Sequence, residues 1–480
     1  MRAMDGTATV SLTGWPIFAV ILAGLLLALL VNAAPLALAA GAVLALLFLL
    51  LFFGRPDLGM LVALVARAST DLALVYAGQA AAVGGARGTA RALVSPNAGL
   101  VLILIFAGGL FALSRRVPLL ALPGGQPFAL LLALGLLGVV RSQDVLLALN
   151  EWLPIVAAFV AYGLAAHVFR RPAAIQRAID ALAVSFVLPA LLGFYQLATG
   201  HASVRVNEAF LRINGTFVHP NAFGLYLALV LAVFACQIPT QKGVRKLLAL
   251  AITAASSVLL IATFARFAWI GAVIVLLTVG VLRYRTLLAL LPLLVAVALA
   301  VPSVSARLQN PLGGSFEDRQ GIWQALVRAW EARTGTSEGS LVIAVDRLAG
   351  LGPGAVDTLT RETYGAPVAS HDDYLRVLVE YGLLGLGLYL VLMLVLIISA
   401  YRVWRACPPS ALSSVALAFL GLTVAYPIMS LTDQVFGATQ NQIYFWTLAG
   451  LSAAIGRLVR HDDGDRGRRP AAQDDFTASP

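Results

Sequence analysis

Apolar runs of about 20 residues, long enough to cross a hydrocarbon core of roughly 30 Å, recur from Trp15 almost to the C-terminus of the 480-residue chain. The solvent such a chain must satisfy is lipid. Hydrophobic residues make up 60% of the sequence and charged ones 12%, against roughly 25% charged in an ordinary soluble domain, which excludes a soluble globule. The sequence therefore reads as an all-α, polytopic integral membrane protein. Its formal net charge of +10 would gather on one face or in one tail in a nucleic-acid binder. Here the basic residues punctuate the apolar runs, so they act as topology signals and no nucleic-acid partner is expected. Cys236 and Cys407 both fall at ends of apolar runs, which leaves neither a disulfide framework nor a cysteine-based metal site. The first apolar run is long and lacks a small-residue cleavage site, and it reads as a membrane span.

Runs bounded by charge or by Gly/Pro clusters place spans near 15–34, 36–53, 58–77, 97–114, 127–141, 151–169 and 180–198, then near 219–237, 247–264, 267–282, 286–302, 374–400, 411–430 and 439–456. The expected number of transmembrane helices is about 12 to 14, the 58–77 run being interrupted by Arg67 and Asp71. Basic clusters at Arg55, Arg115/Arg116, Arg170/Arg171, Lys242/Arg245/Lys246, Arg283/Arg285, Arg402/Arg405 and from Arg457 follow alternate spans. By the positive-inside rule both termini are cytoplasmic. Arg87 and Arg91 break the pattern, and their 78–96 segment suits an interfacial helix. The expected organisation is an N-terminal membrane region over 1–302 with a short outer loop at 199–218, a large outer loop over 303–373, C-terminal helices over 374–456 and a disordered cytoplasmic tail over 457–480. Within the large loop, "FEDRQGIWQALVRAWEA" has helical periodicity, with Ile322, Leu326 and Trp330 on one face.

Ionisable residues are unfavourable in membranes, so those at the outer boundary carry the most information. Arg266, in "TFARFAWIGAV", occupies a connection so short that its guanidinium lies at or just below the outer interface. Arg212, in "LRINGTFVHPNAFGLYLALVL", precedes a span on the same side. Such arginines can simply snorkel or stay solvated; convergent guanidinium forks also suit a diphosphate, because they pair bidentately with phosphate oxygens and never deprotonate. His219 stands before Pro220 and suits a structural role at the helix entry. In "ASHDDYLRVLVEYGLLGLGLYL", Ser370 is the expected helix N-cap, and Asp372 and Asp373 suit the positive end of the helix dipole. Helix initiation leaves His371 unexplained. Standing at the water-lipid boundary, it is a candidate general base. Adjacent side chains at a helix start point in different directions, so His371, Asp372 and Asp373 make a poor metal site and no metal is expected.

Taken together, "RINGTFVHPNAFGLYLALVL", "TFARFAWIGAV", "DRQGIWQALVRAW" followed by "LAGLGPGAVDTL", and "SHDDYLRVLVEYGLLGLGLYL" resemble the O-antigen ligase and polymerase superfamily of bacterial polysaccharide assembly, over residues of about 200–390. The resemblance implies a metal-independent, cofactor-free membrane glycosyltransferase in the bacterial inner membrane. Such an enzyme takes a glycan from an undecaprenyl-diphosphate carrier at the outer face and transfers it to an acceptor hydroxyl on a lipid, a protein or another glycan. It also implies that Arg212 and Arg266 hold the diphosphate, that His371 activates the acceptor, and that Arg319 (in the Arg-x-x-x-Trp pattern with Trp323), His219 and Asn221 are further substrate contacts. Asp372 replaces the asparagine that follows the histidine in many relatives, which bears on the acceptor more than on the chemistry. Ligation and polymerisation use similar residues, so a polymerase is the alternative reading. A lipid-linked glycan transporter should show internal repeats and midplane polar sites, neither of which the sequence has.

Overall fold

The computed structural model describes residues 46–72, 96–200, 204–206, 210–285, 288, 292, 315–334, 341–437 and 439–466. The expected spans at 15–34 and nearly all of 286–302, the first part of 36–53, the end of 58–77, the 78–96 connection up to residue 95 with Arg87 and Arg91, His201 and the end of the tail lie outside the described residues. The chain divides into two compact units, residues 1–59 and 60–480. In the first, residues 46–54 are helical and Phe48 meets Phe52 edge-on.

The described elements, numbered in chain order, are α1 (Pro56–Arg67), α2 (Pro96–Ile103), α3 (Gly109–Ser114), α4 (Gly125–Arg141), α5 (Val145–Val168), α6 (Pro172–Thr199), β1 (Val204–Val206), β2 (Phe210–Arg212), α7 (Pro220–Gln237), α8 (Gly243–Ala262), α9 (Arg266–Leu282), α10 (Ser315–Thr334), α11 (Leu341–Ala349), α12 (Ala355–Tyr364), α13 (Asp373–Ala406), α14 (Ala411–Met429) and α15 (Thr439–Arg466). Among the described residues six helices are long and apolar enough to cross a membrane: α5, α6, α7, α8, α13 and α14. The fold is all-α and polytopic. A two-stranded antiparallel hairpin, Val204 opposite Arg212, is its small exception and sits in the expected 199–218 loop.

Local chemistry sets the helix boundaries. Pro172 and Pro220 open α6 and α7, where a missing N–H has no consequence, and Gly200 closes α6 in the left-handed conformation. Asp144 caps α5 by accepting from the Leu147 amide at 3.0 Å. The interrupted 58–77 run ends its helix at Arg67, where Arg67 and Asp71 form a buried ion pair at 3.1 Å, so neither charge is left bare. The last helix runs on through Arg466, past the expected start of the tail at 457.

The core of the second unit is built on α7, which is buried nearly all round and packs against α8, α9, α14 and α15. A helix apolar on every face belongs at the centre of such a bundle. The amphipathic stripe of the large loop becomes α10: Leu326 and Trp330 enter a cluster with Val356 and Leu359 of α12 and Val379 of α13, and Ile322 packs beside it.

The loop and α13 interlock at a helix break. Gly382 has φ 68 and ψ −168, a backbone conformation essentially reserved to glycine. The carbonyls freed just before it, on Val379 and Glu380, accept from the amides of Leu351 and Gly352 at 3.0 Å each. A Cβ on Gly382 would lie 2.4 Å from the Leu348 carbonyl oxygen, and one on Gly350 an equal distance from the backbone of Glu380. The glycines of "LAGLGPG" and Gly382 therefore answer one another.

Candidate active site

Where α5, α7, α9, α12 and α13 meet the turn between α14 and α15, they enclose a cavity of about 510 Å³. His219, Asn221, His371 and Asp433 line one wall; Glu151, Asp357, Arg376 and Glu380 line another.

The first wall is a continuous hydrogen-bonded chain. Arg212, at the end of β2, is only 7% exposed. Its Nε donates to the Thr263 carbonyl at 2.7 Å and its Nη2 to Asn221 Oδ1 at 2.6 Å. Asn221 Nδ2 donates to Asp433 Oδ2, and Asp433 Oδ1 lies 3.2 Å from His371 Nδ1 and accepts from the Gln434 amide at 2.9 Å. Three residues singled out in the sequence, Arg212, Asn221 and His371, are joined through a fourth that was not. Asp433 sits in a short turn between two apolar spans, 62 residues beyond His371, and no motif or spacing in the sequence marks it.

His371 has φ 51, a left-handed conformation unusual for a residue with a Cβ. A sparsely populated backbone state of this kind persists only where its surroundings enforce it. They do so here: Trp323 Nε1 donates to the Ser370 carbonyl at 2.7 Å, Gln434 Nε2 donates to Ser370 Oγ at 2.8 Å, and Arg319 Nη1 donates to the Thr432 carbonyl at 2.6 Å beside Asp433. Arg319 and Trp323 thus hold the turns that carry His371 and Asp433 and do not line the cavity themselves. The expected N-cap at Ser370 is corrected: Asp372 caps α13, accepting from the Leu375 amide at 2.9 Å, because the left-handed turn at His371 delays the helix by two residues. Asp373 is turned instead towards the Phe436 and Gly437 amides and the Ser430 hydroxyl, tying α13 to the Asp433 turn.

His219 caps α7, its Nδ1 accepting from the Asn221 amide at 3.1 Å, and it also faces the cavity. Enclosure by the cavity walls and the neighbouring Arg212 pull its pKa down to about 4, against the smaller opposing pull of Asp433. His219 is thus neutral at neutral pH, as its acceptor role requires. Burial pushes the Asp433 carboxyl up, but the hydrogen bond and charge of His371, with Arg319 and the Gln434 amide, outweigh it and hold Asp433 below its ordinary value. An ionised Asp433 favours the tautomer in which His371 Nδ1 carries the proton. His371 Nε2 then remains an acceptor.

Arg266 opens α9 half-buried; it is not part of the cavity lining, although Phe267 beside it is. The turn before it is held from behind, since Arg212 grips the Thr263 carbonyl and Phe264 takes φ 51. Both arginines therefore meet at one turn.

The second wall escaped sequence reading entirely. Arg376 Nη2 donates to Glu151 Oε2 at 2.6 Å and its Nε to Glu380 Oε2 at 3.1 Å, joining α5 to α13. Glu380 Oε1 accepts from the Gly354 amide at 3.1 Å, at the interlocked loop. Burial and the nearby Glu151 push the Asp357 carboxyl up to about 6, against the pull of Arg376 and Arg361. Among the described residues no three His, Cys, Asp or Glu side chains are grouped to hold a metal ion.

Residues 248–390, from α8 through the Gly382 break of α13, match the sequence model of the family described as O-antigen ligase. A comparison with curated proteins finds no match. The matched stretch carries Arg266, Arg319, His371, Arg376 and Glu380; over it the chain is similar to the O-antigen ligase family, and its apolar helices mark it as a multi-pass membrane protein.

Proposed function

We propose that the protein transfers a glycan from an undecaprenyl-diphosphate carrier to an acceptor hydroxyl at the outer face of the bacterial inner membrane, without a metal ion. The observation that carries this reading is the His371–Asp433 pair at the cavity wall: a histidine whose Nδ1 lies 3.2 Å from Asp433 Oδ1, with its other ring nitrogen free of hydrogen-bond partners among the described residues. A hydroxyl is a weak nucleophile at neutral pH and needs a base as its bond to carbon forms. His371 Nε2 takes the hydroxyl proton, the acceptor oxygen attacks the anomeric carbon, and the carbon–oxygen bond to the carrier breaks. The electron pair leaves with the undecaprenyl diphosphate. Arg266, at the N-terminus of α9, and Arg212 behind Asn221 supply the positive potential that offsets the charge growing on the leaving group. His219, Asn221 and Arg319 complete the substrate-facing wall or hold it in place.

The test is to incubate purified protein with an undecaprenyl-diphosphate glycan and candidate acceptors in the presence of EDTA. Glycan attached to a lipid or protein identifies a ligase, and a longer carrier-linked glycan identifies a polymerase. Transfer that stops with EDTA and returns with magnesium or manganese overturns the metal-independent mechanism.

A further inference from the structure

A second cavity, of about 360 Å³, lies where α5 ends, beside residues 454–458 of α15 and the connection between α3 and α4. α5 and α15 place it relative to the first. Glu151 and His167 belong to α5, and Gln440 and Arg457 to α15; the first of each pair lines the active-site cavity and the second lines this one. At 1.5 Å per residue these separations are about 24 and 26 Å, most of the roughly 30 Å thickness of the hydrocarbon core. The two cavities thus open at opposite faces of the membrane.

The lining of the second cavity is of two kinds. Val117, Pro118, Leu122, Ala454 and Leu458 give it apolar walls, while His167, Arg170 and Arg457 bring nitrogen donors to it, with no carboxylate among the described lining residues. The charges are held in place: Arg457 Nη2 donates to the Ala166 carbonyl, in the last turn of α5, and the Arg170 guanidinium rests against the His167 ring, which itself packs edge-on to Phe111. Two arginines remain charged at any working pH. Placed together in a half-enclosed space with no carboxylate among the described lining residues, they repel one another. A ligand that suits this lining carries a phosphate for the arginines and an apolar body for the walls.

We propose that this cavity binds the phosphate headgroup of an anionic membrane lipid, at the face opposite the transfer site. Basic pockets between helices at the cytoplasmic face have this chemistry, and the basic clusters assign this face to the cytoplasm. The phosphodiester sits between Arg170 and Arg457, and the start of the acyl chains runs along Val117 and Leu458. The site is separate from the diphosphate reading of the outer cavity.

The experiment is native mass spectrometry of the full chain, released from detergent with phosphatidylglycerol, with phosphatidylethanolamine or with inorganic phosphate. The expected result is retention of phosphatidylglycerol in preference to phosphatidylethanolamine, with a fall of about fivefold for each of Arg170→Gln and Arg457→Gln. Arg402→Gln and Arg405→Gln, at the far end of α13 on the same face, leave retention unchanged. If those control substitutions weaken retention as much, binding is diffuse and the proposal fails. Inorganic phosphate bound as well as the lipid makes the site a free-anion site, which also overturns it. Should Arg457→Gln not fold, Val117→Trp fills the apolar wall with no change of charge and must displace the lipid; if it does not, the assignment is wrong. Glycan transfer by Arg170→Gln, measured in parallel, stays at the wild-type rate, so failure here leaves the proposed outer-face chemistry untouched.

Discussion

Asp433→Asn keeps size and shape and removes one acceptor, and the surrounding donors leave the new amide no satisfactory orientation. In the native turn Oδ2 faces the Asn221 Nδ2 donor, while Oδ1 faces the Gln434 amide and His371 Nδ1. If the amide nitrogen takes the Oδ2 place, it meets a donor; turning Asn221 over to relieve this sets its own amide against Arg212 Nη2, which donates to Asn221 Oδ1 at 2.6 Å. If it takes the Oδ1 place, it meets the Gln434 N–H, and His371 can accept from it only by moving its proton to Nε2. A base with its proton on the wrong nitrogen cannot take another. Loss of one charge-assisted hydrogen bond accounts for about 1.5–3 kcal/mol. Loss of the base accounts for a factor of roughly 10² to 10⁴ in turnover. The assay is single-turnover transfer from an undecaprenyl-diphosphate glycan, with carrier binding measured separately. The expected outcome is a fall in turnover within that range with carrier binding little changed. Near-wild-type turnover at normal expression would show that Asp433 does not orient His371 and would return the pair to a structural contact.

Arg212→Ala and Arg266→Ala should each lower transfer roughly tenfold to a hundredfold, with Lys a poor substitute for the fork of Arg266; full activity in both variants ends the diphosphate role. Arg376→Gln leaves the buried Glu380 facing the part-exposed Glu151 with no cation between them and should destabilise the protein by about 3 kcal/mol, read as a lower Tm in detergent; an unchanged Tm contradicts the role of the ion-pair network. His219 takes up its proton at about 4 when folded against 6.5 when free, so the unfolded chain binds more protons between these values and stability falls as pH drops through them. His219→Asn keeps the cap and should flatten that acid slope in thermal unfolding, whereas Asp357→Asn should flatten the opposite slope, a loss of stability as pH rises through about 6. Gly382→Ala should cost about 1–3 kcal/mol from backbone strain alone, with its Cβ pressed on the Leu348 carbonyl; wild-type thermal stability would mean that the helix break is not required.

The spans were legible because lipid writes one rule into the sequence, and α4 to α9 and α13 to α15 lie close to where hydropathy places them. The amphipathic stripe of α10 was legible for the same reason, since the face of Leu326 and Trp330 is the face that packs. His371, His219 and Asn221 could be found because each stands beside a helix start at a polar boundary. Asp433 and Glu151 could not. A lone carboxylate in a turn looks like any solvated loop residue, and only the meeting of α13 with the α14–α15 turn makes it the partner of His371. Arg376 pairs with a residue 225 positions away, a relation that periodicity cannot encode. The sequence also offered Arg212 as a ligand-facing cation, whereas the fold turns its guanidinium inward to hold the Thr263 carbonyl and Asn221.

The interlock at Gly382 has a consequence for how this protein can diversify. Two carbonyls of a membrane helix are completed by the amides of Leu351 and Gly352 between α11 and α12, and the glycines on either side leave no room for a side chain. The loop is therefore spliced into α13 and is not a detachable lid. Exchanging it between relatives requires moving Gly350–Gly354 and the Val379–Gly382 segment as one cassette, since either half alone strands buried backbone polar groups. Variation that leaves the join intact can accumulate in α10 and α12, whose side chains and not their backbone meet α13.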